Sequence, residues 1–503
     1  MRSKSLKIAF LISVVALIMA LLVNELNLYH LKKDGINLRE NQTIITADDY
    51  SYLFPYNNLI EHGSFYVNDY DKHLSIIRSP GYGFHYFVFA KTMGLKNGLF
   101  ALKIWQLLLF AISVFCFYFL ALDLLKSEKW AFFTAFIYGI LPISSGFLYY
   151  TLTESISPAL LLIFLYLLKL AQKQTLASQK HSLYFFSSLI FSYLFITRPF
   201  LGLFGLAIPL FIWLDANLKT TNIKKVTLIF LYSIVGLSFM LSWQFRNKMV
   251  LGKFTSLHPI YQNELPGPFR LSHKAMWNFY RTWESSGAKF HQATLPIWNQ
   301  TLAGDTCDAS IHNALAQIPA KFRLELGETE LFAAFKSYQR AIFAQRDYAL
   351  NRRLMPSEIL KDEKIAILHF EKLENDFKQK FFITNYLITP AKVFKNLTFH
   401  SNLSLYIFQN TFRGAFFMEL LRWLSFFVHA LAFTFSLLFL FTKQPNENKF
   451  IYFFLLALYV FYLIYVQRGI EERYTLPLLP LAILSAVAVV KEFLRKFILS
   501  RGF

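Results

Sequence analysis

Stretches of about twenty apolar residues recur along this chain, each long enough to cross the hydrocarbon core of a bilayer as one helix. Composition agrees: 55% of the 503 residues are apolar and 16% are charged, where soluble domains average about 25% charged. Length alone would allow roughly three soluble domains, but the blocks of apolar residues reject that reading. With 19 glycines and 2 cysteines, a collagen or a disulfide scaffold is excluded as well. The chain reads as an all-α polytopic membrane protein.

Ten spans are expected, near 8–27, 99–122, 130–148, 155–171, 182–197, 199–214, 226–245, 416–441, 450–466 and 475–493. The first follows Arg2, Lys4 and Lys7 as a signal peptide would, yet it is long and runs into Asn24-Glu25-Leu26 without a small-x-small cleavage site. It reads as an uncleaved anchor. With the N-terminus inside, the inner loops hold Lys126, Lys129, Lys173, Lys180, Lys219, Lys224, Lys225, Lys443 and Lys449. Lys491, Arg495, Lys496 and Arg501 follow in the tail, whereas the short outer loops hold only Arg198, Arg468 and Arg473. This asymmetry predicts cytoplasmic termini. It also accounts for much of the net charge of +20 without nucleic acid; part of the excess suits anionic lipid.

The expected division is a first transmembrane helix (1–27), an extracytoplasmic loop with membrane-surface helices (28–98), spans two to seven (99–245), an extracytoplasmic domain (246–415) and spans eight to ten with the tail (416–503). Within 311–380, charges are mixed and Leu331, Phe335, Tyr338 and Ile342 share one helical face, so that domain should be mainly α.

The same topology places Asp48, Asp49, Glu154, Arg198, Arg246, Glu471, Glu472 and Arg473 on the outer side beside spans, from five separate loops. Carboxylates beside cations at a water–membrane boundary are what an enzyme acting on a lipid phosphate needs. Each has a plainer reading: Asp48-Asp49 capping a helix, Glu154 ending a span, Arg198-Pro199 breaking two spans, and the 471–473 charges pairing among themselves. Walker loops, dinucleotide turns, His-Glu-x-x-His helices and nucleophile elbows are absent. His62, His73 and His85 lack zinc-cage spacing, and the two cysteines form no ligand cluster.

Thr46-Ala47-Asp48-Asp49-Tyr50-Ser51-Tyr52, followed by Asn58-Leu59 and Gly63-Ser64-Phe65, resembles the first extracytoplasmic loop of GT-C glycosyltransferases. The group containing protein O-mannosyltransferases and the lipid A aminoarabinose transferase is the most similar. Arg78-Ser79-Pro80-Gly81-Tyr82, Thr153-Glu154-Ser155, Thr197-Arg198-Pro199, Ser242-Trp243-Gln244-Phe245-Arg246-Asn247 and Glu472-Arg473-Tyr474 resemble further motifs in the family's order, although Ser242 stands where proline is usual. Asp48 and Tyr52, four apart, share one helical face.

The resemblance implies a bundle of about ten transmembrane helices and a transferase using a polyprenyl-phosphate sugar donor and an extracytoplasmic acceptor glycan, lipid or protein. It implies Asp48 as catalytic carboxylate with Asp49 as helper or alternative, and Arg246 and Arg473 as phosphate ligands. Arg198, Glu154, Glu472, Tyr52, Arg78 and Tyr82 complete the expected site. No cofactor is implied for certain, and participation of a divalent metal ion stays open. Residues 255–415 match nothing in the family. Two other classes compete: a transporter or flippase of polyprenyl-linked glycans, which should show mid-membrane charges and repeats, and a non-catalytic envelope assembly protein.

Overall fold

The computed structural model describes residues 3–33, 35, 38–39, 41–218, 220–257, 259, 261–399, 414–442, 448–468 and 472–500. Arg2, Lys219, Lys443, Glu471 and Arg501 lie outside the described residues, as does the side chain of Glu472. Helices dominate the described chain, and the β structure among the described residues is an isolated bridge between Ile44 and Tyr150.

All ten expected blocks are largely helical. Seven meet the length and hydropathy of a crossing: Ser3–Lys33, Leu95–Leu125, Thr153–Lys173, Asn222–Leu251, Phe416–Ser436, Lys449–Gln467 and Arg473–Phe497. The other three are shorter, interrupted or more polar. The helix Glu128–Ile140 stops at Leu141, ahead of Pro142. Ala177–Thr197 is long enough but carries Lys180, His181 and a run of serines. Arg198 is extended, the conformation favoured before a proline, and from Pro199 the chain winds as a 3₁₀-helix to Leu206 before the helix Ala207–Trp213. The protein is a multi-pass membrane protein.

Close approach between spans rests on small side chains. Ala9, Ala16 and Ala20 of the first helix are buried, and a methyl added at Gly139 would lie 2.8 Å from the Ala16 methyl. Large apolar residues such as Phe10, Phe230, Phe245 and Phe416 stay exposed, as lipid-facing residues do.

Between the first two spans the chain forms the helices Asp49–His62, Asp69–Leu74 and Gly81–Met93. Gly81 starts the last of these where a Cβ would lie 2.5 Å from the Thr197 backbone nitrogen, so only glycine lets this loop lie against the 197–198 turn. Residues 271–380 build a second apolar core around Phe279, Trp283, Ile297, Phe335, Phe370 and Phe377. Leu331, Phe335, Tyr338 and Ile342 all face into it, as their spacing predicts. A buried Arg270–Glu363 ion pair fastens its first helix to the helix Lys361–Lys380.

Candidate active site

Asp48 occupies the position before the Asp49–His62 helix, yet its side chain makes no capping hydrogen bond. It turns to two arginines instead. Arg78 donates to its Oδ1, and Arg473 Nη2 lies 3.3 Å from its Oδ2. Arg473 continues the chain of charge: its Nε is 3.2 Å from Glu154 Oε1, which is 2.9 Å from Arg198 Nη1. Three guanidinium groups and two carboxylates therefore alternate, Arg78–Asp48–Arg473–Glu154–Arg198, drawn from four segments up to 425 residues apart.

Burial grades along this row. The Glu154 and Arg198 side chains are each 3% exposed, while Asp48, Arg78 and Arg473 are between 16% and 25% exposed. The inner pair is the more deeply buried end of the row, although all five groups line one small cavity, and the outer three also face a larger one. Thr153 Oγ1 accepts from Arg198 Nη1 at 3.1 Å, and the Tyr474 ring lies under the Arg198 guanidinium at 5.2 Å. Ser51 Oγ accepts from Arg78 Nε at 3.2 Å and donates to the Asp48 carbonyl at 2.7 Å.

Tyr52, one helical turn after Asp48, lies with its ring 5.5 Å from the Arg78 guanidinium. Burial pushes its phenol up, so it keeps its proton. Tyr82 is fully buried behind it, ring to ring at 5.2 Å, and its hydroxyl donates to Gln106 Oε1 at 2.8 Å. Tyr82 thus supports Tyr52 without touching the charges.

Two expected residues stand elsewhere. Asp49 faces the opposite way and is gripped by Arg39, whose Nη2 and Nη1 lie 2.5 and 3.3 Å from its two oxygens. Arg246 sits among aromatic rings, 4.8 Å from Trp243, 5.3 Å from Phe65 and 5.9 Å from Tyr66, and donates to Asn247 Oδ1. Sequence reasoning did not single out Arg39 or Gln106, which no motif marks. It quoted Tyr474 within a motif without giving it a role.

Besides a pocket of about 40 Å³ lined by the whole charged row, two larger cavities flank the Arg78–Pro80 stretch. One, of about 300 Å³, is almost wholly apolar and is walled by Tyr56, Pro80, Phe84, Tyr193, Phe239 and Trp243; Arg246 lies over that last ring. The other, of about 400 Å³, is mixed: Asp48, Arg78 and Arg473 line it together with Gln262, Phe269 and His291. Among the described residues no three His, Cys, Asp or Glu side chains converge as a metal site. The donors that line the row are guanidinium groups, which hold planar anions in bidentate geometry.

No family model matches the chain, and no curated protein matches it. Two solved structures are similar, both of ArnT from Cupriavidus metallidurans. The one bound to undecaprenyl phosphate is 11% identical with a TM-score of 0.35, and the one in the apo state is 13% identical with a TM-score of 0.32. Each comparison covers 96% of this chain and 77% of that chain.

Proposed function

We propose that this protein is an integral-membrane glycosyltransferase of the GT-C type, which moves a sugar from a polyprenyl-phosphate donor to the hydroxyl of an extracytoplasmic acceptor. The observation that carries this reading is Asp48 bracketed by Arg78 and Arg473 in a cavity beside an apolar groove. The ordered motifs around Asp48, Arg78, Glu154, Arg198, Arg246 and Arg473 support it from the sequence side.

The geometry suits such a transfer. A prenyl chain has an apolar groove to lie in, and Arg246 beside Trp243 meets its phosphate from the groove side. Arg78 and Arg473 meet it from the charged row, and Arg198 with Glu154 holds Arg473 in place. Both Asp48 oxygens are engaged by arginines before a donor arrives. A phosphate competes for those same arginines and so releases Asp48 to act. The freed carboxylate takes the proton of the acceptor hydroxyl. The acceptor oxygen bonds to the anomeric carbon while the carbon–oxygen bond to phosphate breaks. That electron pair stays on the phosphate, where the arginines oppose the growing charge. Attack from the face opposite the phosphate inverts the anomeric centre. Tyr52, protonated, remains available as a neutral hydrogen-bond donor.

The test is direct. Purified protein incubated with labelled polyprenyl-phosphate sugars should release or transfer the label, and Asp48→Asn should not. Movement of intact donor across a vesicle membrane, with no bond broken, would favour a flippase instead.

A further inference from the structure

The residues that resemble no family motif, 255–415, supply one wall of the mixed cavity, and their chemistry narrows the acceptor. The wall is built, not draped. Arg270 is fully buried, paired with Glu363, and its Nη1 donates to the carbonyls of Asn263 and Leu265. Gln345 Oε1 accepts from the Gly267 N–H at 3.2 Å, and the Met355 N–H donates to the Glu264 carbonyl at 3.0 Å. Gln262 ties the other end to the first loop: its Nε2 donates to the His73 carbonyl at 3.1 Å, and its Oε1 lies 3.4 Å from His73 Nδ1. The segment 262–269 is therefore a fixed strap along the cavity that Asp48 also lines.

What the strap presents is aromatic. Phe269 is 44% exposed, with its ring edge-on to His291 at 6.0 Å, and Tyr70 and Tyr474 line the same cavity. The polar side chains that this region adds to the cavity, Gln262 and His291, are not acidic, and the carboxylate that lines it, Asp48, is already engaged by two arginines. A volume of about 400 Å³ is at the lower end of small-ligand sites. Flat apolar faces with a few polar groups between them fit a pyranose ring, whose C–H faces stack and whose hydroxyls point outward. We propose that the acceptor is a sugar ring, in a free glycan or a glycolipid headgroup, seated on Phe269 and His291 with one hydroxyl toward Asp48. The inference rests on the transferase reading and adds the acceptor class to it.

The test uses the full-length protein in detergent and separates the two readings. Saturation-transfer NMR against a panel of methyl hexosides and a Ser/Thr-containing peptide reads binding without turnover. Wild type should bind at least one hexoside, Phe269→Ala and His291→Ala should lose it, and Phe269→Tyr should keep it. Polyprenyl phosphate should bind all four proteins equally. In transfer assays Phe269→Ala should raise the KM for the glycoside about tenfold, the loss of one aromatic face, with kcat little changed. Binding of the peptide in place of every hexoside would overturn the sugar-ring acceptor while leaving the transferase standing, as would hexoside binding untouched in both alanine variants. Failure of wild type to bind polyprenyl phosphate or to cleave any polyprenyl-phosphate sugar would overturn the transferase, and the acceptor with it.

Discussion

Two adjacent aspartates with opposite surroundings separate chemistry from structure. Asp48 faces Arg78, Arg473 and the cavity; Asp49 is 8% exposed and clamped by Arg39. Asp48→Asn keeps the shape of the side chain but removes the base, so turnover should fall by about 10²–10⁴ with expression and donor binding retained. Asp49→Asn leaves Arg39 facing a neutral amide, so its effect should appear as a lower Tm, with kcat in the surviving protein close to wild type. Measuring kcat and Tm for both variants checks the assignment, and near-normal turnover in Asp48→Asn would end it. The sequence made Asp48 legible through its spacing to Tyr52 and left Asp49 as helper or alternative. What divides them is Arg39, ten residues upstream in a stretch with no periodic signal. The same limit hid the row itself. Glu154, Arg198 and Arg473 were visible as charged residues at span ends and Arg78 as part of a motif, but pair distances are a property of the fold. Arg246 owes its phosphate role to its motif, and no sequence pattern announced the rings of Phe65, Tyr66 and Trp243 that surround it.

At the scale of elements, the row depends on one loop pressed against one turn. Gly81 makes that contact, and its neighbours Arg78 and Tyr82 ride on the same stretch. Gly81→Ala forces a methyl to within 2.5 Å of the Thr197 nitrogen, so the helix start must shift. Overpacking of this kind costs about 1–3 kcal/mol. Thermal unfolding in detergent should show the loss, and polyprenyl-phosphate affinity should drop because Arg78 moves off Asp48. An unchanged Tm and affinity would show that the contact yields freely.

The helical domain offers an independent element-scale test. His273 is buried against Tyr338, Nδ1 to hydroxyl 3.1 Å, and burial with nearby His291 pushes its pKa down from 6.5 to about 3. The unfolded chain therefore binds a proton between pH 6.5 and about 3 that the folded domain refuses. Stability should be flat above 6.5 and fall as pH drops through that window, by on the order of a few kcal/mol. Trp277, Trp283 and Trp298 pack in or against this core and report its unfolding by fluorescence. His273→Leu should flatten the pH slope; a slope unchanged in that variant would assign the acid sensitivity to other groups.

For the whole molecule, apolar periodicity and Lys/Arg asymmetry carry the architecture, because lipid leaves a chain few alternatives to helices. They do not carry the number of crossings. Glu128–Ile140 and Pro199–Trp213 are apolar but short, and proline rather than hydropathy sets where they stop or start. Orientation is a claim the two native cysteines make testable. Cys116 is buried in the Leu95–Leu125 span and Cys307 is exposed on the helical domain. A membrane-impermeant maleimide added to intact cells should therefore label wild type at Cys307 alone, and Cys307→Ser should abolish the signal. In that background Thr175→Cys, in the exposed turn between Ser157–Lys173 and Ala177–Thr197, should stay unlabelled until the membrane is opened. The expectation follows from Lys173 and Lys180 beside that turn, which hold it inside. Labelling of Thr175→Cys from outside, with Cys307 silent, would invert the topology. The arginine row would then face the cytoplasm, where nucleotide-activated sugars are available and a lipid-linked donor would no longer be needed to carry an activated sugar across the bilayer.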